Sequence, residues 1–375
     1  MKIIIIGGSI GGLSAGIALM DAGHDVHIYE RSAGEMKDRG AGLVIQHDMM
    51  EYFIEQGITT RSVFGVSATK RQILDDKGRA ALLYPNDTVF TSWNYIWRQL
   101  KDYFPASSYS AGFELESISE EEDTVTARFK NGQHRTADLI IGADGVSSIV
   151  RDYVASGIKP QYAGYVAYRG LIPESELTAD EVRFFSDKFS IHHYQNSHFL
   201  SYLVPGINGD LREGHRLYNW VWYQNKTAAQ LADLLTDKDG THRQFTVPAG
   251  FLSPHQQREL NERADQELPE VLKNRVQQTP NPFVQVILDM TVPKMFKGRI
   301  AILGDAANLV RPHTASGTAK AYRDAIALAM NLSEYPDLTA ALQNWNKYQI
   351  RHAISLDMHG RQLAAQSGLG SHYQF

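Results

Sequence analysis

The run Gly7-Gly8-Ser9-Ile10-Gly11-Gly12 has the composition of a phosphate-binding turn. It approximates the dinucleotide fingerprint G-x-G-x-x-G, in which glycines let the backbone approach a pyrophosphate at a helix N-terminus. Gly7 and Gly12 fill the outer positions, and Ser9 replaces the middle glycine. A serine suits that position when its small side chain turns aside or hydrogen-bonds the phosphates. Glu30 follows at the end of the next apolar run, where a carboxylate accepts hydrogen bonds from ribose hydroxyls and repels a 2′-phosphate. The motif by itself suits NAD and FAD alike. Two later runs, Asp144-Gly145-Val146-Ser147-Ser148-Ile149-Val150-Arg151 and Gly304-Asp305-Ala306-Ala307, each put an aspartate where a strand should pass into a helix. Taken singly, such an aspartate is a helix N-cap.

Imidazoles that could move protons stand at His192, His193 and His313. His192 and His193 are adjacent on a strand and point to opposite faces, so at most one faces a substrate. They have no carboxylate at useful spacing, and a metal site is not expected. Tyr194, Tyr202 and Trp222 lie on aromatic strands where one face is core and the other pocket, which makes them candidate substrate contacts. The chain has no cysteine, which removes disulfides, thiolate metal sites and a cysteine nucleophile.

The elements that must position these groups form three separated strand–turn–helix pieces. The first is a strand at Ile3–Ile6, a helix at Gly11–Ala22 and a strand at Asp25–Tyr29, with Gly23 as C-cap. The second is a strand at Ala137–Ile141 leading to Gly145–Val150. The third is a strand at Gly298–Leu303 leading to an Ala-rich helix over Ser316–Met330. Four consecutive isoleucines at the start read as a strand buried on both faces of a parallel sheet rather than as a leader. Between the pieces, Tyr162–Leu171, Phe189–Tyr194, His198–Val204 and Leu217–Tyr223 read as antiparallel strands. Helices are expected at Thr227–Leu235, from Pro254 behind the N-cap Ser253, and over Leu338–Ala365. The 375 residues allow two to three domains, and 43% apolar with 21% charged residues is a globular composition. A formal charge of −5 without a clustered basic face argues against nucleic-acid binding. No run is long enough for a membrane helix, and a cytoplasmic protein is expected.

In combination and in this order, the three motifs resemble those of the single-component flavin-dependent aromatic hydroxylases. That family carries D-G-x-x-S-x-x-R after one strand and G-D-A-A after another. Asp144, Gly145, Ser148 and Arg151 match the first pattern, and Gly304 and Asp305 match the second. Asn308 replaces the family's usual histidine. The stretch Arg311-Pro312-His313-Thr314-Ala315-Ser316-Gly317-Thr318-Ala319-Lys320-Ala321, together with Ser9, looks like the 2,6-dihydroxypyridine 3-hydroxylase branch.

The resemblance implies an α/β fold: a Rossmann-like FAD-binding domain, an inserted antiparallel β-sheet substrate domain and a C-terminal helix. The expected division is 1–70, 93–160 and 283–375 for the FAD-binding domain, the last including the C-terminal helix. The substrate domain takes a hairpin at 71–92 and residues 161–282. FAD is then expected to contact Gly7, Ser9, Ile10 and Gly12 of the first turn, and Glu30 and Arg31 after the second strand. Arg39, Gly42 and Leu43 resemble the loop that follows. Arg98, Asp144, Gly145, Arg151, Gly304 and Asp305 continue the set, and Pro312, Ser316 and Gly317 run beside the flavin. NADH or NADPH would reduce the flavin transiently, without a second Rossmann fold. O2 would then add at flavin C4a, and the hydroperoxide would deliver OH to an electron-rich, hydroxylated and N-heterocyclic ring. A base that deprotonates the ring hydroxyl should help, with His313, Tyr202 and His193 as candidates; His313, Tyr194 and Trp222 are the expected substrate contacts. The resemblance is compatible with a homodimer. Rival readings are an indole or polycyclic substrate, oxidation without oxygen insertion, and a non-catalytic flavin-binding protein. Trp220-Val221-Trp222 evokes the W-x-W-x-I-P of flavin halogenases, but Tyr223, Gln224 and Asn225 follow it.

Overall fold

The computed structural model describes residues 1–34, 42–60 and 64–370. A six-stranded sheet runs in the order Phe296–Lys297, Ile300–Ile302, Leu139–Gly142, Lys2–Ile6, Asp25–Glu30, Tyr109–Ala111. All its pairings are parallel except that of the first two strands. Ile3, Ile4, Ile5 and Ile6 are each at most 4% exposed, as a central parallel strand covered on both faces requires. The helix Ile10–Asp21 packs on this sheet, and Gly317–Glu334 packs on that helix. A three-stranded sheet, Leu115–Glu120, Val125–Phe129 and His134–Ala137, adds Leu115, Val125, Ala127 and Phe129 to the same core. Parallel register aligns Ile6 with Gly142 and Gly142 with Ile302. Three motifs far apart in sequence thus leave the sheet side by side at the carboxyl ends of its strands, where open α/β sheets bind ligands.

The second sheet has ten strands, and its spine is Phe283–Thr291, Gln161–Pro173, Leu217–Asn225, Ser197–Val204 and Lys188–Tyr194. Val66–Leu74, Ala80–Ser92 and Gly42–Ile45 extend it beyond Lys188–Tyr194. The hairpin thus begins at Val66 rather than at 71. Gly42–Ile45 and Phe283–Thr291, expected within segments of the FAD-binding domain, pair in this second sheet. The pairing of Lys188–Tyr194 with Val66–Leu74 is parallel, an exception in a sheet expected to be antiparallel.

Period-two alternation sorts the aromatic residues. Val166, Tyr168, Ile172, Tyr218, Trp220, Trp222, Phe199 and Leu203 face the helices Pro254–Glu267 and Glu270–Gln277, whose Leu260, Ala264, Leu272 and Val276 complete that core. Tyr165, Ala167, Arg169 and Leu171 alternate onto the other face, opposite Val221 and Tyr223 of the next strand. The 29-residue helix Leu338–Gln366 ties the two sheets together: Trp345 lies in the first core, and Ala364 packs beside Tyr165 and Tyr223.

Candidate active site

Backbone geometry builds the first wall of the site. Gly7 has φ +107°, and a Cβ there would meet the Ala143 carbonyl oxygen at 2.4 Å. A Cβ at Gly12 would lie 1.9 Å from the Gly7 carbonyl oxygen, so the Ile10–Asp21 helix can start against the strand only with glycine at that position. Ser9 is the helix N-cap, yet its hydroxyl makes no cap hydrogen bond and remains free for a ligand. The first amides of the helix have no intrahelical acceptor, which makes its N-terminus a site for anions. Glu30 is 6% exposed and accepts from the amides of Gly8 and Ser32, both at 2.8 Å. Those bonds orient the carboxylate and leave it further lone pairs. Trp97 Nε1 donates to the Gly8 carbonyl at 3.0 Å and braces the turn from behind.

Asp144 and Arg151 take a different place from the one expected. Asp144 accepts from Ser148 Oγ at 2.5 Å and from the amides of Ile149 and Val150, so with the N-cap Ser148 it helps cap the Ile149–Val154 helix and does not line the cavity. That capping also explains why the helix starts later than the motif suggests. Arg151 is 3% exposed and donates to the carbonyls of Val146 and Ala306. It clamps two cofactor-side loops to each other. The lining residue of this motif is Gly145, at φ +75°. Asn308, standing where the family has histidine, accepts from the Val292 amide at 3.1 Å inside the protein.

Gly304-Asp305 is set by a buried ion pair that sequence reasoning missed. Lys320 and Asp324, 1% and 0% exposed, lie 2.7 Å apart. Asp324 accepts from the Gly304 amide at 3.0 Å and Lys320 donates to its carbonyl at 3.3 Å, so the pair grips both ends of that residue. The signal was a lysine inside an Ala-rich helix with an acid four residues on. Asp305 opens into the cavity, and burial with the nearby Asp324 raises its pKa, opposed by Lys320. The Pro312–Thr314 turn ends at Ala315, a non-glycine at φ +53°, and delivers the N-terminus of Gly317–Glu334 to the cavity through Ser316 and Gly317.

These walls enclose one cavity of about 2770 Å³, well beyond the ~300–1,000 Å³ of ordinary small-ligand clefts. Ser9, Ile10, Arg31, Gly42, Leu43, Arg98, Gly145, Gly304, Asp305, Pro312, Ser316 and Gly317 line it. Two helix N-termini, an unspent serine hydroxyl and a turn with no room for a Cβ form a cradle that fits an extended dinucleotide such as FAD, with volume left for a substrate. Gly7, Gly12 and Glu30 support that wall from behind. Arg39 lies outside the described residues.

The far end of the cavity is the exposed face of the second sheet. Tyr202 stacks on Phe90 with ring centroids 3.9 Å apart, and burial raises its phenol pKa. His193 lines the cavity while His192 turns inward, with Nδ1 3.2 Å from the Leu74 carbonyl. His198 pairs directly with His193 across the strands and packs against Tyr223 and His313. Burial lowers the pKa of all three cavity histidines, His313 to about 3 with help from the Arg311 charge. They are therefore neutral at pH 7. His313 Nε2 lies 2.8 Å from Tyr165 Oη, and its Nδ1 is shielded without a partner. Neither ring nitrogen is presented to a substrate, which removes the geometric basis for ranking His313 first among the bases. Arg311 and Asp289 hold each other through two 2.8 Å hydrogen bonds behind it.

Trp222 is displaced from the expected pocket altogether. It is fully buried on the helix-facing side, with Nε1 donating to Tyr194 Oη at 2.7 Å and Ser197 Oγ at 3.0 Å. Tyr194 borders the cavity but directs its hydroxyl to Glu267 at 2.8 Å. Both belong to the opposite parity of their strands, which a sequence pattern cannot assign to a face. Among the described residues no cluster of three or more histidine, aspartate or glutamate side chains could hold a metal, and no helix is long and apolar enough to cross a membrane.

A family model described as FAD binding domain-like matches residues 162–289. The chain is 36% identical over 351 residues to 2,6-dihydroxypyridine 3-monooxygenase of Paenarthrobacter nicotinovorans, covering 93% of this chain and 87% of that protein. It is 26% identical over 365 residues to an FAD-dependent urate hydroxylase of Klebsiella pneumoniae subsp. pneumoniae, covering 92% and 85%. The solved structure of 2,6-dihydroxypyridine-3-hydroxylase from Arthrobacter nicotinovorans superposes with a TM-score of 0.93 at 33% identity, covering 99% of this chain and 94% of that one.

Proposed function

The chain belongs to the single-component FAD-dependent aromatic hydroxylases, and we propose that its substrate is a small, hydroxylated nitrogen heterocycle of the dihydroxypyridine kind. One observation carries the reading: the cavity beyond the cofactor cradle ends on a polar, aromatic wall of His193, His198, Arg169 and Tyr202, in a chain alike over nearly its full length to an enzyme of that substrate. In this proposal FAD lies with its diphosphate at Ser9 and the N-terminus of Ile10–Asp21. Glu30 takes the ribose, Asp305 the ribityl chain, and the Pro312–Gly317 segment the ring system. Bound FAD supplies the redox chemistry, reduction by NADH or NADPH and activation of O2 for transfer of one oxygen atom to the ring.

The protein's part is to orient the ring and exclude water. Tyr202 keeps its phenolic proton and donates a hydrogen bond. His193, neutral and open to the cavity, is the side chain placed to accept a proton from a ring hydroxyl. His313 is a wall residue held by Tyr165. O2 as oxidant, a cytoplasmic location and a homodimer complete the proposal, the last measurable by light scattering.

The test is NADH and NADPH oxidation by the FAD-loaded protein across hydroxypyridines, phenols and indoles, with product mass recorded. A hydroxypyridine that gains one oxygen is the expected result. Oxidation yielding only hydrogen peroxide with every hydroxypyridine, or faster productive turnover of an indole, refutes the substrate assignment.

A further inference from the structure

Arg169 stands on the cavity face of Gln161–Pro173, at the middle of the second sheet's spine. Its cross-strand neighbours are Val221 and Phe283, and Ala167 and Leu171 flank it along its own strand. The surroundings of this charge are therefore mostly apolar. Its side chain makes no hydrogen bond or ion pair with any described residue, and its Nε is shielded from solvent with no partner. Other buried guanidiniums of this chain each have at least one partner: two carbonyls for Arg151, Glu174 for Arg216, Glu181 for Arg275 and Asp289 for Arg311, although Nε of Arg151 and Nε and Nη1 of Arg275 are also unpaired. Arginine cannot discharge itself in a protein. A half-buried guanidinium without a counter-charge is costly, and such local violations mark functional positions.

Among the described residues the guanidinium acts electrostatically on the phenols Tyr202 and Tyr223, which burial nonetheless keeps protonated. They stabilise a cation poorly but can hydrogen-bond an oxygen placed against it. The acids that line the cavity, Asp87, Asp102 and Asp305, do not pair with Arg169. The missing partner is an anion, and the cavity is where it would enter.

We infer that Arg169 is the anion receptor of the substrate end: its guanidinium pairs with an oxyanion on the bound ring, so the site takes the hydroxy-heterocycle in its ionised form. The assignment rests on the proposed substrate class and deepens it. The ring loses its proton before or during binding, to solvent or to the neutral His193, whose basicity burial weakens, and the electron-rich ring needed for oxygen transfer is selected by charge rather than made by a strong base. That division of labour agrees with the geometry of His313, whose Nε2 is engaged by Tyr165 and whose Nδ1 is shielded.

The test uses FAD-loaded protein and an unreactive nitro-substituted hydroxypyridine whose absorbance reports its ionisation. For the wild type, the bound ligand should show the spectrum of the anion even below its solution pKa. Kd should weaken about tenfold for each pH unit below that value, since only the anion binds. In Arg169→Met the anion should bind about 10- to 100-fold more weakly, the loss of one charge-assisted contact. The bound spectrum should follow that of the free ligand. Arg169→Lys should restore part of the preference. The ligand-free Met variant should melt no lower than wild type, because an unpaired charge has been removed. A Met variant with unchanged spectrum and pH dependence overturns the inference, as does a wild type that binds the neutral ligand. If the Met variant loses flavin while ligand behaviour is unchanged, the guanidinium serves the cofactor and the inference is also overturned. A wild type that binds no hydroxypyridine defeats the substrate class itself, and this assignment with it.

Discussion

Replacing Lys320 by methionine tests how the Gly304 turn is held. The substitution keeps the volume and the helix propensity while leaving Asp324 charged, fully buried and without its cation. Removing one partner of a buried pair costs about 3–5 kcal/mol, because the surviving charge is uncompensated. For 375 residues, at about 2.1 cal/mol/K of unfolding entropy per residue, that corresponds to a fall in Tm on the order of 4–6 °C. Asp324 keeps the Gly304 amide at 3.0 Å and the turn survives, but the second tie, from Lys320 to the Gly304 carbonyl, is lost. Lys320→Met/Asp324→Leu should recover much of the stability, since an apolar pair replaces an ionic one. It should still bind FAD more weakly, because the Gly304 amide then has no acceptor. Thermal melts by near-UV circular dichroism and flavin titrations by fluorescence quenching read both quantities. A single variant melting within about 1 °C of wild type, or a double variant no more stable than the single one, would refute the reasoning.

Gly12→Ala places a Cβ against the Gly7 carbonyl and should weaken FAD binding at least about tenfold by displacing the helix start, read by flavin fluorescence; unchanged affinity would show that the turn can relax. Trp222→Phe removes the hydrogen bonds to Tyr194 and Ser197 and should cost about 1–3 kcal/mol of stability with KM unaltered. A raised KM at constant Tm would return Trp222 to the pocket. His313 titrates near pH 3 in the fold, below its ordinary value of 6.5, so the unfolded chain binds a proton the native state excludes. Its stabilising contribution is complete above about pH 6.5 and is lost as pH falls towards 3. Calorimetry of His313→Asn should show a flatter Tm profile across that window, and parallel profiles would contradict the burial of the ring.

Local chemistry carried much of this protein's description. Four isoleucines followed by glycines and an alanine-rich helix announce a parallel strand and a phosphate turn, because burial on both faces and a helix start leave marks within a dozen residues. The same holds for the first strand–helix–strand unit, observed at Lys2–Ile6, Ile10–Asp21 and Asp25–Glu30, and for the final helix over Leu338–Gln366. The order of three motifs was enough to point to the flavin hydroxylases, since each motif encodes a backbone geometry that does not depend on the others.

What the tertiary structure decided was direction and partnership. Trp222 and Tyr223 are neighbours of similar character, yet strand parity sends one into the core and the other to the cavity, and only packing against the Pro254–Glu267 helix selects which. Asp144 and Asp305 occupy matching junctions, but one caps a helix and the other opens to the cavity, because Ser148 and the Ile149 amide engage the first while Lys320 and Asp324 grip Gly304 rather than its neighbour. His313 reads from sequence as a free imidazole and is in fact joined to Tyr165, 148 positions away. Arg169 is an ordinary strand residue until the fold flanks it with apolar side chains and leaves it no counter-ion among the described residues. Sequence determines which groups are present and which local backbone they favour; which face they turn to and what charge they meet depends on contacts between residues far apart in the chain.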